Sequence, residues 1–163
     1  MTHRLDTLVV LDHPKYEVNV GGAMRSAVAL GADAVILVGR RYEREPGDVF
    51  HAQKHLEVLP VRSWEQALEL LGNIPIVAVE RLEGAMPLNT LAHPPRAAYV
   101  FGPEDGSVHP DVVTFSAHQV HIPHARVDNV HWGCLNLATS VALVLYDRLC
   151  RAGFGRSDLS AAR

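Results

Sequence analysis

Three short stretches carry residues whose types and spacing could do chemistry. "NVGGAMRSA" sets Asn19 and Arg25 six positions apart with two glycines between them, "FGPEDGSV" puts Glu104 in a tight turn after an apolar run, and "CLNLATSVALVLYD" begins with Cys134 and Asn136. The arginine, the carboxylate and the two amides are the polar groups these stretches offer, and a helix N-terminus beside them could hold an anion. Each stretch also has an ordinary structural explanation. Gly, Pro and Asp serve any cheap turn with a solvated acid, and a lone helical Arg is usually a surface residue. Asn136 is either a helix cap or a functional group, because an unpaired buried amide costs about 1–3 kcal/mol. The first stretch invites a phosphate at a helix N-terminus. Its glycine spacing fits neither the dinucleotide fingerprint nor the P-loop.

The elements that must position these residues alternate along the chain. Apolar runs "LDTLVVL", "DAVILVG", "LEVLPV", "IPIVAVE", "AAYVFG" and "HQVHIP" read as strands. Helices are expected over about 21–30, 63–71, 110–114 and 132–151, so the fold class is α/β with a mostly parallel sheet flanked by helices. Asn19 is placed to cap the first helix, and Ser63 with Gln66 three positions on fits a capping box. The charged stretch 40–54, broken by Pro46 and Gly47, reads as a mobile surface loop. The last helix is apolar on nearly every face, which points to burial or an interface.

Composition narrows the class. A chain of 163 residues with 48% hydrophobic residues suits one domain over 1–163, with 154–163 expected to fray. No apolar run approaches the ~20 residues of a membrane span, and the N-terminus is charged where a leader is apolar, so a cytoplasmic location is expected. Cys134 and Cys150, about 24 Å apart if they share one helix, cannot pair. A net charge of −3 gives no overall attraction to nucleic acid. Local patches would have to supply it, either Arg40, Arg41 and Arg44 or Arg148, Arg151, Arg156 and Arg163, although a solvated surface explains both sets as well. Among the ten histidines, His51 and His55 are one helical turn apart, and His118, His121 and His124 recur every third residue. Strand side chains alternate faces, so His118 and His121 make no common site and no metal is expected.

N-x-G-x-x-x-R after the first strand, F-G-P-E-x-G after a later one, and I-P followed some ten residues on by L-N appear in that order from Asn19 to Asp147. The combination resembles the three motifs of the SpoU/TrmH family of RNA ribose 2′-O-methyltransferases, within the SPOUT or α/β-knot superfamily. The resemblance implies a C-terminal deep trefoil knot, a homodimer, and S-adenosyl-L-methionine bound in the knot largely by backbone groups. The implied cofactor lining is Val79, Gly102, Ile122, Cys134 and Leu135. Gly102 would leave room for the cofactor, and its exchange for Val would act locally with little loss of fold.

The implied catalytic set is Arg25, Asn19, Glu104 and Asn136, with Asn19 and Glu104 orienting Arg25 and Asn136 positioning the ribose. A neutral arginine at pH 7 costs roughly 8 kcal/mol at 1.36 per pKa unit. A protonated Arg25 that holds phosphate and stabilises the forming alkoxide is therefore the cheaper form of the role. Cys134 departs from the usual Ser before L-N, and a thiol is the poorer hydrogen-bond partner. His124 and His131 flank the implied pocket as candidate RNA contacts. Family members without an appended RNA-binding domain often act on tRNA, which ranks tRNA ahead of rRNA. The competing readings are a non-catalytic knotted binder of RNA or cofactor, a base methyltransferase of the same superfamily, and an unknotted α/β nucleotide enzyme.

Overall fold

The computed structural model of the chain describes residues 6–39, 55–125 and 134–151. Its elements are β1 (Thr7–Asp12), α1 (Glu17–Ala29), β2 (Ala34–Val38), β3 (Glu57–Val61), α2 (Trp64–Leu71), β4 (Ile76–Val79), β5 (Met86–Pro87), β6 (Ala97–Phe101), α3 (Pro110–Phe115), β7 (His118–His121) and α4 (Leu137–Arg151). Every strand pairing is parallel, in the order β3-β2-β1-β6-β4-β7-β5. The central strands are continuous apolar runs because both faces of the sheet are covered. β3 and β5 hold Pro60 and Pro87 at the two edges, where a missing N–H is tolerated.

Alternation along the strands sorts the core into two layers. Val9, Leu11, Val35, Leu37, Tyr99 and Phe101 face α1 and α4, and Leu8, Val10, Ile36, Ala98 and Val100 face α2 and α3. α1 and α4 pack closely, and a Cβ on Gly22 would stand 2.8 Å from the Ala138 Cβ. Asp12, buried at the end of β1, fixes the other layer. Its carboxylate accepts from Trp64 Nε1 at 3.0 Å and from the His109 backbone N–H at 2.9 Å, which ties α2 and the lead into α3 to the central strand.

Several sequence expectations shift. α1 begins four residues earlier than the expected 21, so Asn19 is a buried residue inside the helix, and Tyr16 holds the N-cap position without a side-chain cap bond. Ser63 likewise makes no side-chain cap bond, and Gln66 Oε1 accepts from the Arg62 N–H at 2.9 Å. α4 begins at Leu137, so Cys134 precedes the helix that was expected to carry both cysteines. The helix is buried on one side only. It buries Leu137, Val141, Val144 and Leu145 and exposes Leu143 and Tyr146. β5 was not foreseen, since two residues carry no periodicity.

Arg148 and Arg151 are not an open basic patch. Arg148 donates to the Pro94 and Pro95 carbonyls at 2.7 Å each and to Thr7 Oγ1 at 3.0 Å, while Arg151 donates to Asp147 at 2.8 Å and to the Asn89 carbonyl. Arg40, Arg41, Arg44, His51, His131, Arg156, Arg163, the 40–54 loop and the tail lie outside the described residues. The same holds for 126–133, on whose path the expected knot depends. No helix among the described residues is long and apolar enough to cross a membrane.

Candidate functional site

The start of α1 and the carboxyl ends of β6, β4 and β7 open onto a cavity of about 470 Å³, the position where parallel α/β sheets bind ligands. Its apolar wall includes Val79, Phe101, Ile122, Leu135 and Leu137, and its polar groups include Asn19, Glu80, Glu104, His121, His124 and Asn136. All five residues of the expected cofactor lining are in this wall. Three of the four expected catalytic residues join them.

The three polar residues form one chain of hydrogen bonds. Glu104 accepts from Asn19 Nδ2 at 2.7 Å and from the backbone N–H groups of Lys15 at 2.8 Å and Tyr16 at 3.3 Å. A carboxylate from the β6 turn thus caps the start of α1, where it also meets the positive end of the helix. Burial works to raise the Glu104 pKa, and the hydrogen bonds from Asn19, Lys15 and Tyr16 outweigh it, so the carboxyl titrates below its ordinary value. Asn19 Oδ1 in turn accepts from Asn136 Nδ2 at 2.7 Å. Asn136 Oδ1 accepts from the Ala138 N–H at 2.9 Å and the Thr139 N–H at 3.4 Å, which makes Asn136 the cap of α4. Asn136 thus caps α4 and also lines the cavity.

Gly102 answers to the protein before any ligand. A Cβ there would stand 2.7 Å from the Val108 backbone nitrogen and 3.0 Å from the Ser107 carbonyl carbon. The turn folds back over its own first residue, so a side chain at 102 would rebuild the loop that carries Glu104, and the expectation of a local effect fails. Glu80, which no sequence motif marks, stitches this loop to β4: its carboxylate accepts from the Val108 N–H at 3.3 Å and the Arg81 N–H at 2.9 Å. Only its place immediately after a buried strand could have drawn attention to it. Tyr16 and Ser140 also line the cavity without having been singled out.

Arg25 is exposed and is not part of the cavity wall. It lies seven residues after Val18, on the same exposed side of α1, whereas Asn19 faces inward. Cys134 is exposed and in no disulfide. Among the described residues no group of three or more His, Cys, Asp or Glu is placed to hold a metal ion.

The sequence matches the SpoU rRNA Methylase family over residues 6–146. No curated protein matches it. Among solved structures, the A. aeolicus TrmH/SpoU tRNA modifying enzyme superposes with a TM-score of 0.78 at 19% identity, covering 91% of this chain and 76% of that one. The SpoU methyltransferase AviRb from Streptomyces viridochromogenes, in complex with the cofactor AdoMet, gives 0.74 at 23% identity over 93% of this chain and 62% of its own. An RNA 2′-O ribose methyltransferase gives 0.74 at 26% identity over 93% and 60%. The chain spans about three fifths of the length of the last two proteins. With most of its length inside the match, and with the hydrogen-bonded Asn19, Glu104 and Asn136 drawn one from each motif, the chain belongs to the SpoU rRNA Methylase family.

Proposed function

We propose that this protein is an RNA ribose 2′-O-methyltransferase that uses S-adenosyl-L-methionine, acts on tRNA ahead of rRNA, and works as a homodimer. The observation that carries the reading is the shared cavity in which residues of three distant motifs meet. A volume near 470 Å³ lies within the roughly 300–1,000 Å³ usual for small-ligand sites. An apolar wall with a few converging polar groups suits a nucleoside-bearing cofactor. Val79, Ile122, Leu135 and the backbone at Gly102 and Cys134 would hold it, and it supplies an already activated methyl group.

What remains for the chain is alignment and proton handling. Glu104 holds Asn19 rigid, and Asn19 holds the Asn136 amide, so that one of these amides can orient the ribose hydroxyl. Arg25, on the outer side of α1, belongs to the face that RNA would cover, where a protonated guanidinium grips phosphate and steadies an alkoxide. Thr139, Leu143, Tyr146 and Cys150 form an exposed stripe along α4 at i, i+4, i+7 and i+11. With Val18 at 79% exposure, this stripe supports a symmetric dimer that covers it. The ranking of tRNA ahead of rRNA rests on the resemblance to the TrmH branch of the family, one of whose solved members is a tRNA modifying enzyme.

The test is transfer of labelled methyl from S-adenosyl-L-methionine to purified tRNA and rRNA, followed by nuclease digestion. Label in nuclease-resistant dinucleotides of tRNA is expected. Label confined to bases would make the protein a base methyltransferase, label confined to rRNA would reverse the ranking, and cofactor binding with no transfer would leave a binding protein.

A further inference from the structure

Tyr16 lines the cavity and is 50% exposed. Its backbone is held on both sides. The N–H donates to Glu104 Oε1 at 3.3 Å, and the carbonyl accepts from the Asn19 N–H at 3.0 Å and the Val20 N–H at 3.3 Å. The ring therefore projects from a fixed point, where the bonded pair of Glu104 and Asn19 meets the start of α1.

The neighbours of the ring set it at the rim. Lys15 Nζ lies 5.3 Å from the ring centre and 3.0 Å from Asp105 Oδ2. Ring, ammonium and the turn after β6 thus stand together, and Pro103, Glu104 and Gly106 of that turn line the same cavity. Val18, on the face assigned to the dimer, is two positions further along, and residues two apart do not share a helix face. The ring is therefore clear of that surface.

An open aromatic ring beside an ammonium suits an unpaired nucleotide, whose base stacks on the ring while its phosphate meets the cation. The adenine of the cofactor is the competing flat partner. It is the poorer match, because S-adenosyl-L-methionine carries a positive sulfonium and no phosphate, so a neighbouring ammonium adds nothing to its binding. The apolar residues assigned to the cofactor, Val79, Ile122 and Leu135, also belong to the β4, β7 and α4 side of the cavity, whereas Tyr16 belongs to α1.

We propose that Tyr16 is the platform on which an unpaired base of the RNA stacks as its ribose enters the cavity, with Lys15 meeting the adjoining phosphate. The substrate class is then RNA whose target nucleotide lies in a single-stranded loop. This inference rests on reading the protein as an RNA ribose methyltransferase.

The experiment compares the full chain with Tyr16→Leu, which keeps apolar bulk without a π face, and with Tyr16→Phe and Tyr16→Trp, which keep a ring. For methyl transfer to purified tRNA, kcat/KM should fall by about tenfold or more in the Leu variant, the scale of one stacked base, mainly through KM. The Phe and Trp variants should stay within about threefold of the wild type. Calorimetry with S-adenosylhomocysteine should give one affinity for all of them. Fluorescence anisotropy then compares binding of a short single-stranded RNA with binding of the same strand annealed to its complement. The ratio of the two affinities should shift toward the duplex by about tenfold in Tyr16→Leu and hold in the Phe and Trp variants. An unchanged kcat/KM or an unchanged ratio in the Leu variant overturns the proposal. Cofactor affinity lost in that variant would assign the ring to adenine, a dimer lost in light scattering would assign it to the subunit contact, and either result overturns the proposal as well. Should the wild type transfer no methyl to RNA, the methyltransferase reading fails, while the binding ratio still decides whether Tyr16 stacks a base.

Discussion

Asn19 donates to Glu104 at 2.7 Å across 85 positions of sequence, and this one bond joins the start of α1 to the turn after β6. Both Glu104 oxygens are committed as acceptors, to Asn19 and Tyr16 on one side and to Lys15 on the other. Glu104→Gln must therefore turn an N–H toward another N–H whichever way it rotates. We expect a loss of about 1–3 kcal/mol in urea unfolding and a methyl-transfer rate reduced more than about tenfold. Because the folded carboxyl titrates below its ordinary value, its contribution is complete above about pH 4.3, the ordinary glutamate value. It is lost as pH falls through the lowered folded value. The slope of stability against pH in that range should flatten in the variant.

The layer order and the parallel sheet were legible because buried strands such as "TLVVL" and "AAYVF" must be apolar on both faces, a pattern that survives any rearrangement of the loops. The start of α1 was not. Asn19 looked like a cap because capping by sequence assumes a local acceptor, whereas here the cap is Glu104, supplied from another strand. Asn19, Glu104, Asn136 and the five expected lining residues were legible through their motifs, whereas Tyr16, Ser140 and Glu80 were not, Glu80 because its task is to hold the Val108 backbone. Arg148 read as surface charge for a related reason: its partners are carbonyls of the 94–95 turn, and backbone acceptors leave no trace in sequence.

Three glycines separate backbone demand from open space. Gly21 has nothing within 4 Å of a built Cβ, Gly22 would meet Ala138 at 2.8 Å, and Gly102 would meet Val108 at 2.7 Å. Gly21→Ala should stabilise the fold by up to about 1 kcal/mol through helix propensity and unfolded-state entropy. Gly22→Ala should lower the melting temperature by forcing α1 from α4. Gly102→Ala should lower both the melting temperature and cofactor affinity, and a variant that melts like the wild type while binding no cofactor would restore the purely local role. Thermal melts with and without S-adenosylhomocysteine separate these outcomes.

At the opposite end of the sheet, His93 lies between Tyr99 Oη at 2.6 Å from Nδ1 and Asp147 Oδ2 at 2.9 Å from Nε2. Burial lowers its pKa, against the opposing pull of the Asp147 carboxylate. The fold thus favours the neutral ring, donating from Nε2 and accepting at Nδ1. Its contribution is complete above about pH 6.5, the ordinary histidine value, and is lost as pH falls toward the lowered folded value. Urea midpoints measured from pH 8 to pH 5 should fall with acidification. His93→Gln, which can donate to Asp147 without titrating, should flatten the curve, and an equal slope in the variant would assign the acid sensitivity elsewhere.

The exposed α4 stripe makes the assembly testable. Leu143 and Tyr146 are 39% and 57% exposed, so charges there cost the single chain little and the dimer much. Light scattering should give about twice the 17.8 kDa chain mass for the wild type and the single mass for Leu143→Glu and Tyr146→Glu, with circular dichroism unchanged. A wild type that stays monomeric at micromolar concentration removes the dimer.

Arg25 decides between two chemistries. It is exposed and outside the cavity wall, as suits a residue that meets RNA and not the cofactor. If it acts as a cation on phosphate and alkoxide, Arg25→Lys keeps the charge and loses the two-pronged geometry. Methyl transfer should then fall steeply in Arg25→Ala and be partly retained in Arg25→Lys, while calorimetry shows unchanged cofactor binding in both. A base at this position predicts otherwise. Lysine, with an ordinary pKa of about 10.4, loses its proton more easily than arginine, so the Lys variant would show a single-turnover rate climbing steeply with pH toward that value. Salt adds a second axis: if Arg25 neutralises a phosphate, Arg25→Ala should shallow the dependence of RNA affinity on salt by slightly less than one unit of logarithmic slope, and a base would leave that slope unmoved. Transfer in Arg25→Ala equal to the wild type would take Arg25 out of the reaction and leave alignment by Asn19, Glu104 and Asn136 to account for the rate.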